Sequence, residues 1–370
     1  MVLEKGKPTT YPVLYTFWRK KGRKRFTYDS TLEEVTKATV RLNFVAESVD
    51  PSDPTSPWLT AHPKAIKAVR KVLGKSDYVA HEGVNTGGAN AVYWVNIVLK
   101  RPDGLVVVRN ITEGAKVKVD EVTEPIEPDL LYPLLRGRYV QRWQAVPSAL
   151  IIVPQDPTDA KHGYPEKKLM ANYPRCYDYL AKFHKVLENR PAYKKYLQPF
   201  GEPWYSLYDV KNYTFAPWKV VWTRLARIEA AVVDLHEGKP IVPQETVTLV
   251  ECSSANEAHY ICALVNSSPF QFAAISYSQE GGKSMGSMHT LEHIRIPRFD
   301  RKNPVHLRLA DLSKQAHDAA KVSDETRLRE IEAEIDRQAA KLWGLSDDEL
   351  REIQQSLREL AGEEEPQAEE

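Results

Sequence analysis

Residues 81–94, His-Glu-Gly-Val-Asn-Thr-Gly-Gly-Ala-Asn-Ala-Val-Tyr-Trp, join backbone freedom to short polar side chains and an aromatic exit. Gly83, Gly87 and Gly88 admit φ > 0 and a close backbone neighbour, while Asn85, Thr86 and Asn90 can fix a turn or reach a ligand. That chemistry serves a recognition loop, and equally a turn feeding a buried strand. Cations set among rings form a second recurrent pattern. Arg19, Lys20, Lys21, Arg23, Lys24 and Arg25 lie between Trp18 and Phe26. Such a cluster suits a polyanion, because cations meet phosphates and rings offer stacking surfaces; a solvated hairpin tip has the same composition. Arg136, Arg138 and Arg142 precede Trp143, and guanidinium groups either hold phosphates and read guanine edges or pair on a surface strand. Lys211 before Tyr213 and Phe215, and Lys219 and Arg224 around Trp218 and Trp222, repeat the theme, with aromatic core packing as the rival reading. Lys283 is the one cation of the Gly281–Gly286 loop.

Reactive chemistry is sparse by comparison. The sequence holds no G-x-G-x-x-G after a strand and no G-x-x-x-x-G-K-[ST], which excludes the usual nucleotide cradles. His289 and His293 are four apart, but Pro297 and a strand-like pattern argue against a helical metal pair. Asp50, Asp53, Asp156 and Asp159 sit among prolines and serines, where turn geometry accounts for them. Cys176, Cys252 and Cys262 are too few and too dispersed for a disulfide framework or a thiolate metal site, and read as small core residues. Binding, not reaction, is the expectation.

The 370 residues are 42% hydrophobic and 27% charged, an ordinary globular balance with room for two or three domains. No apolar run approaches the roughly 18 to 20 residues a membrane span needs, and the start lacks the apolar core of a signal peptide, so a soluble cytoplasmic protein is expected. The net charge of +1 hides segregation: the Arg19–Arg25 cluster is basic, whereas residues 362–370 are acidic with no basic residue and are expected to be a disordered, solubilising tail.

The elements that would position these residues begin with strands at Tyr11–Trp18, Lys24–Tyr28, Thr39–Phe44, Ala91–Leu99 and Gly104–Ile111. One helix interrupts them after Pro63, with Ile66, Val69, Val72 and Leu73 inward, Lys64, Lys67, Arg70 and Lys71 as a basic face, and Gly74 as a stop. A proline-punctuated crossing, Thr123–Pro133, marks a boundary near residue 130. Beyond it the pattern predicts strands at Ala149–Val153, Trp218–Arg224, Thr246–Glu251 and Leu291–Ile296, and helices over Pro174–Asn189 and Ala255–Asn266. A helical hairpin closes the chain, with Ser323 as first cap, Gly344 as stop and a Ser346/Glu349 capping box.

The order of these motifs resembles a known architecture. Glu82–Tyr93 is similar to the "G-x-x-T-G-x-N-x-x-F/Y" segment of adenine-N6 DNA methyltransferases of restriction-modification systems, the group of TaqI-like and fused restriction-methylation enzymes. Leu134–Trp143 resembles their "L-x-G-r-d-i-x-r-W" segment. Further matches are Tyr173–Leu180 through Arg190, Pro203-Trp-Tyr205, Phe215–Lys219, Ala263–Ser268 with Ile294–Pro297, and Glu332–Leu350. The resemblance covers roughly residues 40–355 and falls on those enzymes' target-recognition and C-terminal region. Their Asn-Pro-Pro-Tyr-type tetrapeptide and their glycine-rich S-adenosylmethionine motif do not occur here.

The resemblance therefore implies a mixed α+β fold: β-rich target-recognition parts with inserted helices and a C-terminal helical hairpin. Residues 1–130 would be the β-rich part with the glycine loop, 131–310 an α/β target-recognition part, 311–360 the hairpin and 361–370 the acidic tail. It implies double-stranded DNA as ligand, a methyltransferase catalytic subunit or domain as partner, no cofactor in this chain, and S-adenosylmethionine on that partner. Asn85, Thr86, Gly87, Lys211, Lys219, Arg224 and Lys283 join the two arginine-rich clusters as expected DNA contacts. Two other classes stay open: an active methyltransferase or nuclease with degenerate motifs, and an interaction scaffold of a phage-defence complex.

Overall fold

The computed structural model of the chain describes residues 8–22, 25–53, 56–224, 228–277 and 286–361. Its fold is mixed α+β. The N-terminal aromatic and β-branched run forms β1 (Val13–Lys20), paired antiparallel with β2 (Thr39–Ser48), which pairs in turn with β3 (Trp58–Ala61). Between β1 and β2, a capping box of Thr31 and Glu34 starts α1 (Leu32–Lys37), a helix that buries none of its side chains. α2 (Pro63–Val69) follows β3, its proline at the first turn.

A four-stranded sheet is built from β4 (His81–Glu82), β12 (Trp218–Thr223), β13 (Ala230–Val233) and β17 (Val247–Cys252), in the order β13-β12-β17-β4. A six-stranded sheet contains β5 (Trp94–Lys100), β6 (Val106–Asn110), β7 (Thr123–Ile126), β8 (Leu131–Leu135), β11 (Ala149–Ile152) and β16 (Val242–Pro243), in the order β16-β8-β11-β5-β6-β7. The expected boundary near residue 130 falls inside this sheet, since β5 to β7 precede it and β8, β11 and β16 follow. Two short ribbons complete the strands: β9 (Val140–Gln141) with β10 (Gln144–Ala145), and β14 (Leu235–His236) with β15 (Lys239–Pro240).

Alternation divides the interior into cores. On β12, Val220 and Trp222 enter one core while Val221 enters another, so the strand is buried on both faces. The largest core gathers α2, α7 (Ala255–Asn266), α8 (Ser268–Tyr277), α9 (Pro304–Lys321), α10 (Glu325–Trp343) and α11 (Asp347–Ala361) against β12. A second packs α3 (Asn90–Tyr93), α4 (Glu166–Asn172), α5 (Pro174–Ala181) and α6 (His184–Glu188) against the six-stranded sheet. Cys176, Cys252 and Cys262 are free thiols buried in these cores, and burial pushes each of them up.

Several expectations change. Residues 25–28 form no strand, and the Ala91–Leu99 strand begins instead as the helical turn α3. The Pro174–Asn189 helix breaks where Phe183 donates its amide to Leu180 three residues back and buries its ring. Leu291–Ile296 is a 3-10 turn (Met288–Glu292) followed by one bridge, Leu73 to Ile294. The end is three long helices, not two, because Asn303 caps α9 ahead of the hairpin. Asp324, not Ser323, caps α10, since Ser323 takes φ 55°. Gly344 (φ 67°) and the Ser346/Glu349 box sit as the sequence reads them. α2 stops at Val69, ahead of Gly74. Among the described residues no helix is long and apolar enough to cross a membrane, and no group of three His, Cys, Asp or Glu side chains could hold a metal.

Candidate nucleic-acid interface

The glycine loop is a clasp between sheets. A Cβ on Gly83 would lie 2.2 Å from the Gln244 carbonyl oxygen, so only glycine fits where this backbone crosses residues 243–247. Gly83 donates to Val247 O and Val84 to Pro243 O, while Asn85 and Tyr208 exchange backbone hydrogen bonds. Asn85 Oδ1 accepts from the Gly87 amide at 2.7 Å, and Gly87 takes φ 65°. Arg190, itself buried, donates to the carbonyls of Thr86, Leu187, Trp204 and Ser206, and lies over the Tyr93 ring. Thr86 is 1% exposed with its hydroxyl on Asn90 Oδ1, so it presents nothing to a nucleic acid. Asn85 and Gly87 are half-buried at the rim.

That rim carries ring faces. His81 stacks on Tyr213 with centroids 3.9 Å apart, and burial, followed by the Lys211 charge, lowers its pKa. Tyr196 stacks on Tyr208 at 4.9 Å, and Lys195 lies 4.8 Å from the Tyr196 centroid. Lys211 is exposed beside them. Arg224 is tied to Glu82 in an ion pair. Glu82, Asp209 and Glu245 are all raised, first by burial, with Arg224 opposing the shift. The adjoining Lys-Lys-Tyr of 194–196 is a basic-aromatic signal that the sequence carried unremarked.

The arginines after Leu135 split into two roles. Arg136 bonds Ser148 Oγ at 2.9 Å and lies 5.6 Å from the Trp94 centroid and 5.0 Å from that of Tyr139. Arg138 is exposed and lies 4.9 Å from Tyr139 on the same knuckle. Burial, then the neighbouring Arg138 charge, lowers the Arg136 pKa. Arg142 turns away: it ion-pairs Glu332 of α10 at 2.5 Å and donates to Asn266 O at 2.7 Å. Trp143 Nε1 donates to the same Glu332, so this pair bolts the knuckle to the helices.

At the N-terminus, cross-strand pairing sets Arg41 opposite Trp18, 4.2 Å from its ring centroid, and Lys20 lies 5.3 Å from that of Phe26. Lys20, Lys21 and Arg25 are exposed, whereas Arg19 donates to the Glu359 carbonyl of α11. Arg23, Lys24 and Lys283 lie outside the described residues. Lys219 is fully buried, with its ammonium on Ala216 O, and faces no ligand. Of the cations expected on the basic face of the helix after Pro63, Lys64, Arg70 and Lys71 pair with Glu352, Glu47 and Glu349, Arg70 and Lys71 lying beyond the end of α2, and Lys67 is exposed.

No protein-family model matches the chain. Over 145 residues it is 30% identical to the type II methyltransferase M.NspV of Nostoc sp., a stretch that covers 39% of this chain and 28% of that protein. The type IIL restriction-modification enzyme MmeI, solved with DNA, aligns over 87% of this chain and 40% of its own at 8% identity and a TM-score of 0.48. The type IIG restriction endonuclease BpuSI aligns over 75% and 33%, at 12% identity and a TM-score of 0.37. By sequence, then, part of this chain is similar to part of a type II methyltransferase, and it spans less than half the length of each of these three proteins.

Proposed function

We propose that this chain is the DNA target-recognition region of an adenine-N6 methyltransferase of a restriction-modification or related phage-defence system. Methyl transfer and S-adenosylmethionine belong to a catalytic part outside it. The Arg136, Arg138, Tyr139 and Trp94 knuckle carries the reading: two guanidiniums stand on ring faces, Arg138 exposed, in the segment that resembles such enzymes. Guanidiniums so held are preorganised for phosphates or guanine edges, and the planes beside them can stack on bases. The similarity to a type II methyltransferase supports the same reading.

Duplex binding followed by fluorescence anisotropy across a salt series tests it. The full chain should lose affinity steeply with salt, and Arg136→Gln with Arg138→Gln should lower the log–log slope by about two, one for each phosphate no longer neutralised. An unchanged slope in the double variant, or no duplex binding at low salt, would overturn the assignment.

A further inference from the structure

A phenylalanine projects into solvent beside the glycine loop. The chain passes from a π-helical turn (Tyr193–Leu197) straight into a 3-10 turn (Gln198–Phe200), which Gly201 closes at φ 74°. Such π-turns recur at functional sites. Here Tyr193 and Leu197 are buried, Tyr193 donates its hydroxyl to Glu202 O at 3.1 Å, and the Glu202 amide donates to Leu197 O at 3.2 Å. The Glu202 carboxylate in turn accepts from the Gly163 amide at 2.9 Å and meets His162. Pro199 fixes the backbone just ahead of Phe200. So braced, the segment holds the Phe200 ring 80% exposed, with Tyr196 of the preceding turn 42% exposed.

The surroundings point to what covers this ring. Lys194 and Lys195 are exposed on the same segment. Tyr196 stacks on Tyr208, whose backbone pairs with Asn85, and a Cβ on Gly87 would lie 3.0 Å from that of Ala192, so the segment packs against the glycine loop. Val117 lies 3.8 Å from the corresponding position on Gly88, between exposed Lys116 and Lys118. The core of a protein interface is depleted of such charges. A single ring among lysines instead matches a polyanion whose interior is flat and apolar, which is a stack of base pairs between phosphates.

We infer that Phe200 is a wedge that enters a base step of duplex DNA while Lys194 and Lys195 hold the flanking phosphates. The inference rests on the DNA-recognition reading and adds a deformation to it. Insertion separates two stacked base pairs, so ring–base contact is gained at the expense of base–base stacking and a step already weakened is preferred. A mismatch supplies such a step. The lysines act on any sequence and set the salt dependence, whereas the ring sets the preference for a deformable step.

The experiment titrates the full chain against a fluorescein-labelled matched duplex of mixed sequence and against the same duplex with a central T·T mismatch, at ~50 mM salt. The parent should bind the mismatched duplex about ten-fold more tightly, Phe200→Ala should bind the two alike, and Phe200→Leu, which keeps an apolar wedge, should retain part of the preference. With 5-iodouracil beside the mismatch, irradiation should cross-link the parent through the peptide that contains Phe200. Because this side chain is exposed, the Phe200→Ala urea midpoint should match that of the parent. A preference that survives Phe200→Ala, or a cross-link confined to other peptides, overturns the wedge and leaves the DNA-recognition reading standing. Parent and Phe200→Ala binding both duplexes identically is the result expected of a protein-docking ring, and it overturns the wedge too. No binding of either duplex by the parent overturns the recognition reading and the wedge with it.

Discussion

Lys219 sits between Trp218 and Val220 in a run that reads as a basic-aromatic surface, yet its ammonium is buried against Ala216 O. Burial lowers its pKa to about 7. The unfolded value is near 10.4, so between about pH 10 and pH 7 the unfolded chain binds a proton that the folded chain does not. Stability therefore rises with pH across that window. Lys219→Met keeps the apolar stem and removes the titration; it should raise the urea midpoint at pH 7 and flatten the rise toward pH 9.5. A midpoint that falls at pH 7, with the pH slope intact, would show that the ammonium stabilises the fold. Arg190 shows the opposite outcome for a buried cation: carbonyls from four residues satisfy it, and it fixes the glycine loop that the sequence singled out.

Between α7 and α9 two histidines are locked neutral. His317 donates Nδ1–H to Ser313 O at 2.7 Å and accepts the Val232 amide on Nε2 at 3.0 Å, leaving no site for a second proton. His259 lies with its ring 5.0 Å from that of His317, and burial, then His317 and two lysines, pushes it down to about 3. Both folded values lie below the unfolded value near 6.5. The stability these groups contribute is present above that value and is lost as pH falls through 6.5 toward 3. Urea midpoints should decline between pH 6.5 and 5, before most carboxylates titrate, and His259→Asn should reduce that decline. An identical pH slope in the variant would clear His259 of the effect. At the same scale, α11 shows why a run of basic residues is a poor guide to ligands: Lys64 of α2 and Lys71 just past it pair with acids from the far end of the chain.

Across the whole molecule, stability is unevenly placed. β12 is buried on both faces between two cores, whereas α1 buries nothing and β1 is an edge strand with Leu14, Trp18 and Lys20 outward. Amides of β1 and α1 should exchange with solvent ~100-fold faster or more than those of β12 and β17, because they open without disturbing a core. Uniform protection by hydrogen-exchange mass spectrometry would contradict this. β1 and α1 then lie at the periphery, with β1 tied to α11 through Arg19, whereas β3 is buried in the largest core, and the Arg136 knuckle is fixed to the main body through Trp143 and Glu332.

By itself the sequence determined the local signals: α7, the Gly344 stop, the Ser346/Glu349 box, most strands, and the mixed α+β class, since caps and periodicity act within a few residues. It also brought the motif order that resembles a methyltransferase recognition region. Only the tertiary structure decided which cations face solvent. Arg136 and Arg138 differ from Arg142 by a turn of backbone, yet the first two lie on rings and the third is consumed by Glu332. Thr86, through its carbonyl, and Arg224 are likewise spent on partners far along the chain, and Arg41 reaches Trp18 only through strand pairing. Charge and ring chemistry are properties of a residue, but exposure and pairing depend on contacts between distant segments, which no local pattern encodes.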